Sequence, residues 1–273
     1  AERTGSLWDC GEFILVAYKL QIVHPPGAPV FLLVGRMFAW VAEILSDNPE
    51  NVAFAVNLMS SLSSAFAAMF VAWITMLLGK LALKGREEEP DTSEIIALAG
   101  AGLVAGLATA FSTSIWFSAV EGEVYALSTF FTALTLWITI KWYCLPDEPK
   151  HDRLLILAIY MTGLSIGVHL LSILTFPAIS LFYYFKKTKK STFLGMTIAS
   201  VVGLVFVGAV QAFIISGIPA IWGWFEILAV NSLGLPFNSG LVMLLIFLGA
   251  VIYGGLSYAQ KKNNVMLHNL VVA

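Results

Sequence analysis

The chain has 273 residues, of which 59% are hydrophobic and 12% charged, with a formal net charge of −2. A mean hydropathy of +0.85 and a charged share well below the usual value of about 25% exclude an ordinary soluble domain. Near-neutral charge without a basic patch gives no footing for nucleic acid.

Taken in chain order, residues 1–51 form a polar opening around Asp9-Cys10-Gly11-Glu12, then His24-Pro25-Pro26-Gly27, then an apolar stretch at 28–46 that carries Arg36 and Glu43. That stretch suits a helix lying in the membrane interface better than a crossing. A helical crossing needs about 20 apolar residues. Candidate crossings follow at 52–83, 95–117, 124–144, 154–169, 170–185, 192–215 and 241–259. The 154–185 stretch reads as two short crossings with His169 at their turn. Residues 217–239, broken by Pro219, Gly223, Gly234 and Pro236, read as a second interfacial segment. The expected fold is therefore an all-α polytopic transmembrane bundle of about seven spans plus interfacial helices. Its expected parts are an outer loop with the acidic motif (1–51), a helical bundle (52–259) and the start of a further segment (260–273).

The connecting loops fix the expected orientation. The charged loop at 84–94, whose Thr92-Ser93-Glu94 suits a helix start, and the lysine-bearing loops near 150, 186–190 and 261–262 fall on one side. With Lys80 and Lys141 they hold twelve of the fifteen basic residues, leaving Arg3, Lys19 and Arg36 opposite. Lys and Arg concentrate on the cytoplasmic side, so 1–51, 118–123, the turn at 169 and 216–240 face the periplasm or lumen. On this topology Cys10 and Cys144 lie on opposite faces and are expected to be unpaired. In the segment from 95 to 117, Gly100, Gly102 and Gly106 allow close helix packing. The polar opening and the apolar close at 269–273 read as those of a piece of a longer protein.

Sorted by that topology, Asp9, Glu12, His24, Glu121, Glu123 and His169 all fall at the outer membrane edge, as do Asn57 and Gln211 in their spans. Ionisable groups against hydrocarbon are costly and mark functional sites. Each also has a plainer reading. Asp9 and Glu12 have the spacing of a capping box. The two prolines give a rigid helix entry. Glu121 and Glu123 gain from the dipole of the helix that opens at Val124, and His169 can bond a carbonyl. Carboxylates with imidazoles can hold Mn²⁺ or Mg²⁺, but the spacing matches no tight metal signature, and a metal is left unassigned.

The segments Ser6-Leu7-Trp8-Asp9-Cys10-Gly11-Glu12-Phe13, His24-Pro25-Pro26-Gly27-Ala28-Pro29 and Glu121-Gly122-Glu123-Val124-Tyr125 resemble the protein-O-mannosyltransferase-like family of the GT-C class of membrane glycosyltransferases, which has many bacterial members. The resemblance runs through most of residues 6–185. It implies an enzyme that passes a mannose-like sugar from a polyprenyl-phosphate donor to a protein or other acceptor on the outer face of a bacterial inner membrane. Asp9 then takes the place of the acidic residue that acts on the acceptor in the first outer loop, with the preceding helix just upstream of this chain. Glu12, Glu121 and Glu123 would orient acceptor or sugar hydroxyls; His24, His169 and Arg36 would hold the phosphate. A transporter or flippase, and a non-catalytic membrane scaffold, are the competing readings.

Overall fold

The computed structural model describes residues 3, 5 and 8–272, without the side chains of 265, 266, 269 and 270. Ser6, Leu7 and Ala273 lie outside the described residues. Every regular element among the described residues is helical, and the chain divides into two compact units at 196/197.

In the first unit, α1 (Cys10–Lys19) and α2 (Pro29–Leu45) precede the long α3 (Glu50–Lys84). At 1.5 Å per residue the 35 residues of α3 reach about 52 Å, well beyond a hydrocarbon core of about 30 Å. One end of α3 therefore supports α1 and α2 outside the crossing proper. Val52, Val56 and Met59 of α3 share a core with Phe13, Ile14 and Ala17 of α1 and with Phe31, Leu32 and Ala39 of α2.

α4 (Thr92–Ala110) returns along α3. Its start is set one residue earlier than the sequence suggests. Asp91 accepts from the Glu94 N–H at 2.9 Å while Glu94 accepts from the Asp91 N–H at 2.8 Å, a complete capping box. A methyl group on Gly102 would meet Met76 at 2.7 Å and the Ala72 carbonyl at 3.0 Å, so the two backbones touch there. Gly106 also faces α3, whereas Gly100 faces open space.

A short α5 (Thr113–Val120) folds back along α3, held by Ser61 Oγ donating to the Ala119 carbonyl at 2.6 Å. α6 (Val124–Cys144) then runs beside α3, and α7 (Asp152–Ile166), a 3₁₀ turn at Leu170–Leu174 and α8 (Thr175–Lys187) pack on α6. The expected crossings at 154–169 and 170–185 are thus helices of 15 and 13 residues, shorter than the ~20 a crossing requires.

Residues 193–232, all but the first four of them in the second unit, form one continuous helical run: α9 (Phe193–Ala209), a π-helical turn at Val210–Ile215, α10 (Gly217–Ile227) and a second π turn at Leu228–Ser232. The break expected at Pro219 does not occur. A proline cannot donate to the carbonyl one turn back, and the preceding π turn, in which the Ser216 N–H bonds Gln211 O at 3.1 Å, takes up the altered register. The chain reverses at Gly234 and Pro236 into α11 (Ser239–Lys261). Here Glu226 accepts from the N–H groups of Asn238 and Gly240 at 2.6 and 2.8 Å, capping α11 from the neighbouring helix. α12 (Val265–Val272) closes the chain.

Five of these helical runs are long and apolar enough to cross a membrane: Glu50–Lys84, Thr92–Ala110, Val124–Cys144, Phe193–Ser232 and Ser239–Lys261. The protein is a multi-spanning helical membrane protein; among the described residues five helices have the length and apolarity of a crossing, where the hydropathy pattern suggests seven.

Candidate active site

The first turn of α1 carries the acidic motif, and its geometry departs from a helix cap. Asp9 precedes the helix with φ −87° and ψ 1° and makes no side-chain cap hydrogen bond. Glu12 does not reach back to Asp9 either. Its Oε1 accepts the backbone N–H of His24 at 2.9 Å and its Oε2 meets His24 Nδ1 at 3.0 Å. The capping-box alternative for Asp9 and Glu12 is therefore excluded by where the carboxylates point.

His24 is held from a second direction by the edge of Phe13, 5.7 Å between ring centres, and Phe13 in turn packs on Phe31 at 5.2 Å. Behind it the chain turns at Gly27, in the left-handed region at φ 86°, whose N–H bonds His24 O at 3.0 Å. The bond from Glu12 raises the His24 pKa above the ordinary imidazole value, and the charges of Glu12, Asp9 and Glu123 act in the same direction. Glu12 is lowered, first by the His24 backbone N–H and then by its ring. Relative to the free side chains, the pair is thus biased towards carboxylate and imidazolium.

The second acidic motif joins this turn through Cys10, which the sequence reading left outside the site. Cys10, fully buried, accepts the Gly122 N–H on its sulfur at 3.1 Å and lies 3.8 Å from Asn57 Oδ1 of α3. A side chain at 122 would come within 2.8 Å of Asn57 and 3.0 Å of Ile14, so the 121–123 loop docks this closely because residue 122 is glycine. Docking carries Glu123 to the start of α1. It is 5% exposed and accepts a hydrogen bond from the Asp9 backbone N–H, yet burial above all, and then the charges of Asp9 and Glu121, push its pKa up. Glu123 stands before α6 without a cap hydrogen bond, so its neighbour is the acidic motif rather than its own helix.

Asp9, Glu12, His24 and Glu123 are thereby brought together, with half-buried Glu121 beside them. His169 stands apart. It begins the 3₁₀ turn, its Nδ1 accepts the Leu171 N–H at 3.3 Å, and its ring packs on Tyr125 at 5.4 Å. Arg36 is not brought to the cluster. It pairs with Glu43 at 2.9 Å and lies over the Tyr18 ring at 5.4 Å, and Tyr18 is about 13 Å along α1 from Asp9. Gln211 belongs to the second unit. Cys10 and Asn57 are the parts of the site that the sequence reading did not assign to it. The only sequence signals were an asparagine in an apolar helix and a cysteine enclosed by the acidic motif.

One donor atom each from Asp9, Glu12 and His24 lies within 4.8 Å of the others. Hard oxygen donors with an imidazole suit Mg²⁺ or Mn²⁺. An ion would compete with the Glu12–His24 pair, which already uses both carboxylate oxygens and Nδ1.

Residues 9–192 match the family model described as the protein O-mannosyl-transferase TMEM260 N-terminal domain. The chain belongs to this family. The match opens on Asp9 and ends before α9, so it contains the whole cluster and almost all of the first unit. The protein O-mannosyl-transferase tmem260 of Dictyostelium discoideum is 28% identical over 135 residues, 50% of this chain and 14% of that protein. The mouse protein O-mannosyl-transferase TMEM260 is 27% identical over 158 residues, 58% of this chain and 19% of that protein. The chain thus spans less than a fifth of the length of these curated relatives. No solved structure matches it.

Proposed function

We propose that this chain carries the reaction centre of a GT-C-type membrane glycosyltransferase, which moves a mannose-like sugar from a polyprenyl-phosphate donor to a protein hydroxyl on the periplasmic face of a bacterial inner membrane. The observation that carries the reading is the docking of Glu121-Gly122-Glu123 onto the first turn of α1, inside the stretch that matches the family.

In the proposed step, the acceptor hydroxyl oxygen forms a bond to the anomeric carbon as the bond from that carbon to the phosphate oxygen breaks. The phosphate leaves with the electron pair, and the acceptor proton passes to Asp9. An ordinary aspartate is a weak base for a hydroxyl, so proton transfer accompanies sugar transfer. Asp9 suits this task because it is exposed and not used as a helix cap. Glu123, biased towards its protonated form, would hydrogen-bond a sugar or acceptor hydroxyl. His24, biased towards its cationic form by Glu12, would face the departing phosphate with positive charge. A divalent cation held by Asp9, Glu12 and neutral His24 would instead replace the Glu12–His24 pair as the source of positive charge.

The test is transfer from a lipid-linked mannose to an acceptor peptide by the full-length protein, wild type against Asp9→Asn, after both are shown to insert. Undiminished transfer by the variant removes Asp9 from the chemistry. Transfer only from a nucleotide sugar overturns the donor assignment.

A further inference from the structure

α6 begins beside the acid cluster and ends at the far side of the first unit. Its 21 residues give about 31 Å of helix, close to a hydrocarbon core of about 30 Å. With Glu123 at one membrane boundary, Trp142 and Leu145 therefore stand at the other. Two cations from other elements are drawn to that far end. Arg86, in the α3–α4 loop, donates from Nη2 to the Leu145 carbonyl at 2.9 Å and lies 4.8 Å over the Tyr143 ring. Lys186, near the end of α8, donates to the Trp142 carbonyl and lies 4.2 Å from the centre of the Trp142 ring.

Cations do bond the last carbonyls of helices, but here the charge is left uncompensated. A helix end carries about half a negative charge against two positive ones. Lys186 is only 6% exposed. Neither cation makes an ion pair among the described residues, although their neighbours Lys84 and Lys187 do, with Glu94 and Asp147. Asp152, the other carboxylate that acts on Lys186, accepts the Trp142 indole N–H at 3.2 Å. Buried charges are ordinarily paired. Arg86 and Lys186 instead repel: burial first, and then the charge of Arg86, push the Lys186 pKa down to about 8. Donors are spare as well, since a guanidinium has five N–H groups and an ammonium three, and Arg86 Nε is buried without an acceptor.

We propose that Arg86 and Lys186 form a binding site for a phosphate group at the membrane boundary opposite the acid cluster, and that an anionic phospholipid supplies it. Half-buried Arg86 forms the rim of this site and Lys186 its floor. A phosphate accepts charge-assisted hydrogen bonds from both. The depth matches, because a crossing helix ends where lipid headgroups begin. Tyr143 and the exposed Tyr183, which stacks on Trp142 at 6.0 Å, take the aromatic positions that flank such a boundary. Basic residues at a membrane surface gain from anionic lipid in general. These two differ in being held in place by backbone carbonyls before any lipid arrives. A phosphate between them would tie the α3–α4 loop, α6 and α8 together at one point.

The experiment compares the full-length wild type with Lys186→Met and Arg86→Gln in a non-ionic detergent, following the thermal midpoint as phosphatidylglycerol, phosphatidylcholine or inorganic phosphate is added. The expected result is a rise several-fold larger with phosphatidylglycerol than with phosphatidylcholine in the wild type, and equal rises in either variant. Before lipid is added, Lys186→Met should match or exceed the wild-type midpoint. It removes a buried charge beside another cation and leaves the Trp142 carbonyl bonded to the Leu145 N–H. A helix cap without a ligand predicts the reverse, a lower midpoint in detergent with an unchanged response to phosphatidylglycerol, and that result overturns the inference. Equal responses of the wild type to the two lipids overturn it too. Should Arg86→Gln not fold, Arg86→Lys, which keeps the charge and loses the planar fork, should retain part of the preference. A rise with inorganic phosphate alone, lost in Lys186→Met, supports the phosphate site and moves its source to solution. No arm needs catalysis, so the outcome is independent of the glycosyltransferase reading.

Discussion

Two helices of this protein begin with the same spacing, Asp-x-x-Glu, and use it for different ends. At α4, Asp91 has the extended backbone of a cap, φ −73° and ψ 175°, and it and Glu94 satisfy each other's N–H groups. At α1, Asp9 has ψ near zero, its carboxylate caps nothing, and Glu12 is taken by His24 twelve residues on. Spacing fixes only that the two carboxylates share a helix end. Backbone torsion and the availability of a distant partner decide whether they close on each other or open outward. An outward pair can meet a substrate.

The comparison is sharpest in activity. Under the proposed reading, Asp9→Asn lowers transfer about 10²–10⁴-fold, the usual weight of a general base, while the variant folds and inserts as wild type does. Equal loss from Asp91→Asn, measured in the same transfer assay, would erase the distinction between the two motifs.

The next effect belongs to the clamp. Glu12→Gln removes the charge that holds His24 and should reduce transfer by about 10–100-fold through misplacement of the arm. It also has a pH signature. The native-state His24 pKa is raised, so the contribution of the pair is complete below the ordinary imidazole value of about 6.5 and is lost as pH rises through the raised value. Glu12 is lowered, so its share is present above the ordinary carboxylate value and is lost as pH falls through the lowered one. An NMR titration of His24 should give a midpoint above about 6.5 in the wild type and a fall in Glu12→Gln. An unmoved midpoint would mean that Glu12 does not hold the ring.

A smaller effect tests the junction between the motifs. Gly122→Ala puts a methyl group 2.8 Å from Asn57 Oδ1 and 3.0 Å from Ile14, an overpacking that costs about 1–3 kcal/mol. It should also lift Glu123 away from Asp9. Glu123 has a raised pKa, so as a native acid it lowers stability as pH climbs from the ordinary carboxylate value towards its own. Relief of that slope in Gly122→Ala, followed by thermal unfolding in detergent across pH 4–7, would locate the penalty at this contact.

Much of this was legible because hydrocarbon tolerates few polar groups. Asp9, Glu12, His24 and Glu123 stood out against an apolar background, and both ends of α6 followed from the run of hydropathy, whereas the stretch expected at 95–117 is divided between α4 and α5. What escaped were features that depend on contact. Cys10 was read by counting cysteines, yet its sulfur serves as a buried acceptor for Gly122. Arg36 was read as a holder of the phosphate, although Glu43 follows it by two helical turns on the same face, and that spacing was the available signal for their pairing. Pro219 was read as a break because proline removes one helical bond, and a local π register absorbs that loss without ending the helix. Among the described residues five helices, against the seven expected crossings, have the length of a crossing, because α7 and α8 are individually short.

The smallest expected effect comes from the capping motif and completes the comparison. Asp91→Ala removes the acceptor of the Glu94 N–H and of Ser93 Oγ and frees Glu94, which also pairs with Lys84 at 3.0 Å. Caps of this kind are worth little apiece, so the thermal midpoint should fall by roughly 2–4 °C with transfer unchanged. The Asp91 pKa is lowered, chiefly by the Glu94 N–H, so this stabilisation is present above the ordinary aspartate value and fades as pH drops through the lowered one. The wild-type advantage over Asp91→Ala should therefore shrink in acid. A midpoint difference that persists at a pH where Asp91 is protonated would assign the effect to packing of the loop. A loss of transfer would instead show that the start of α4 and the acid cluster of α1, joined through α3, are energetically one piece.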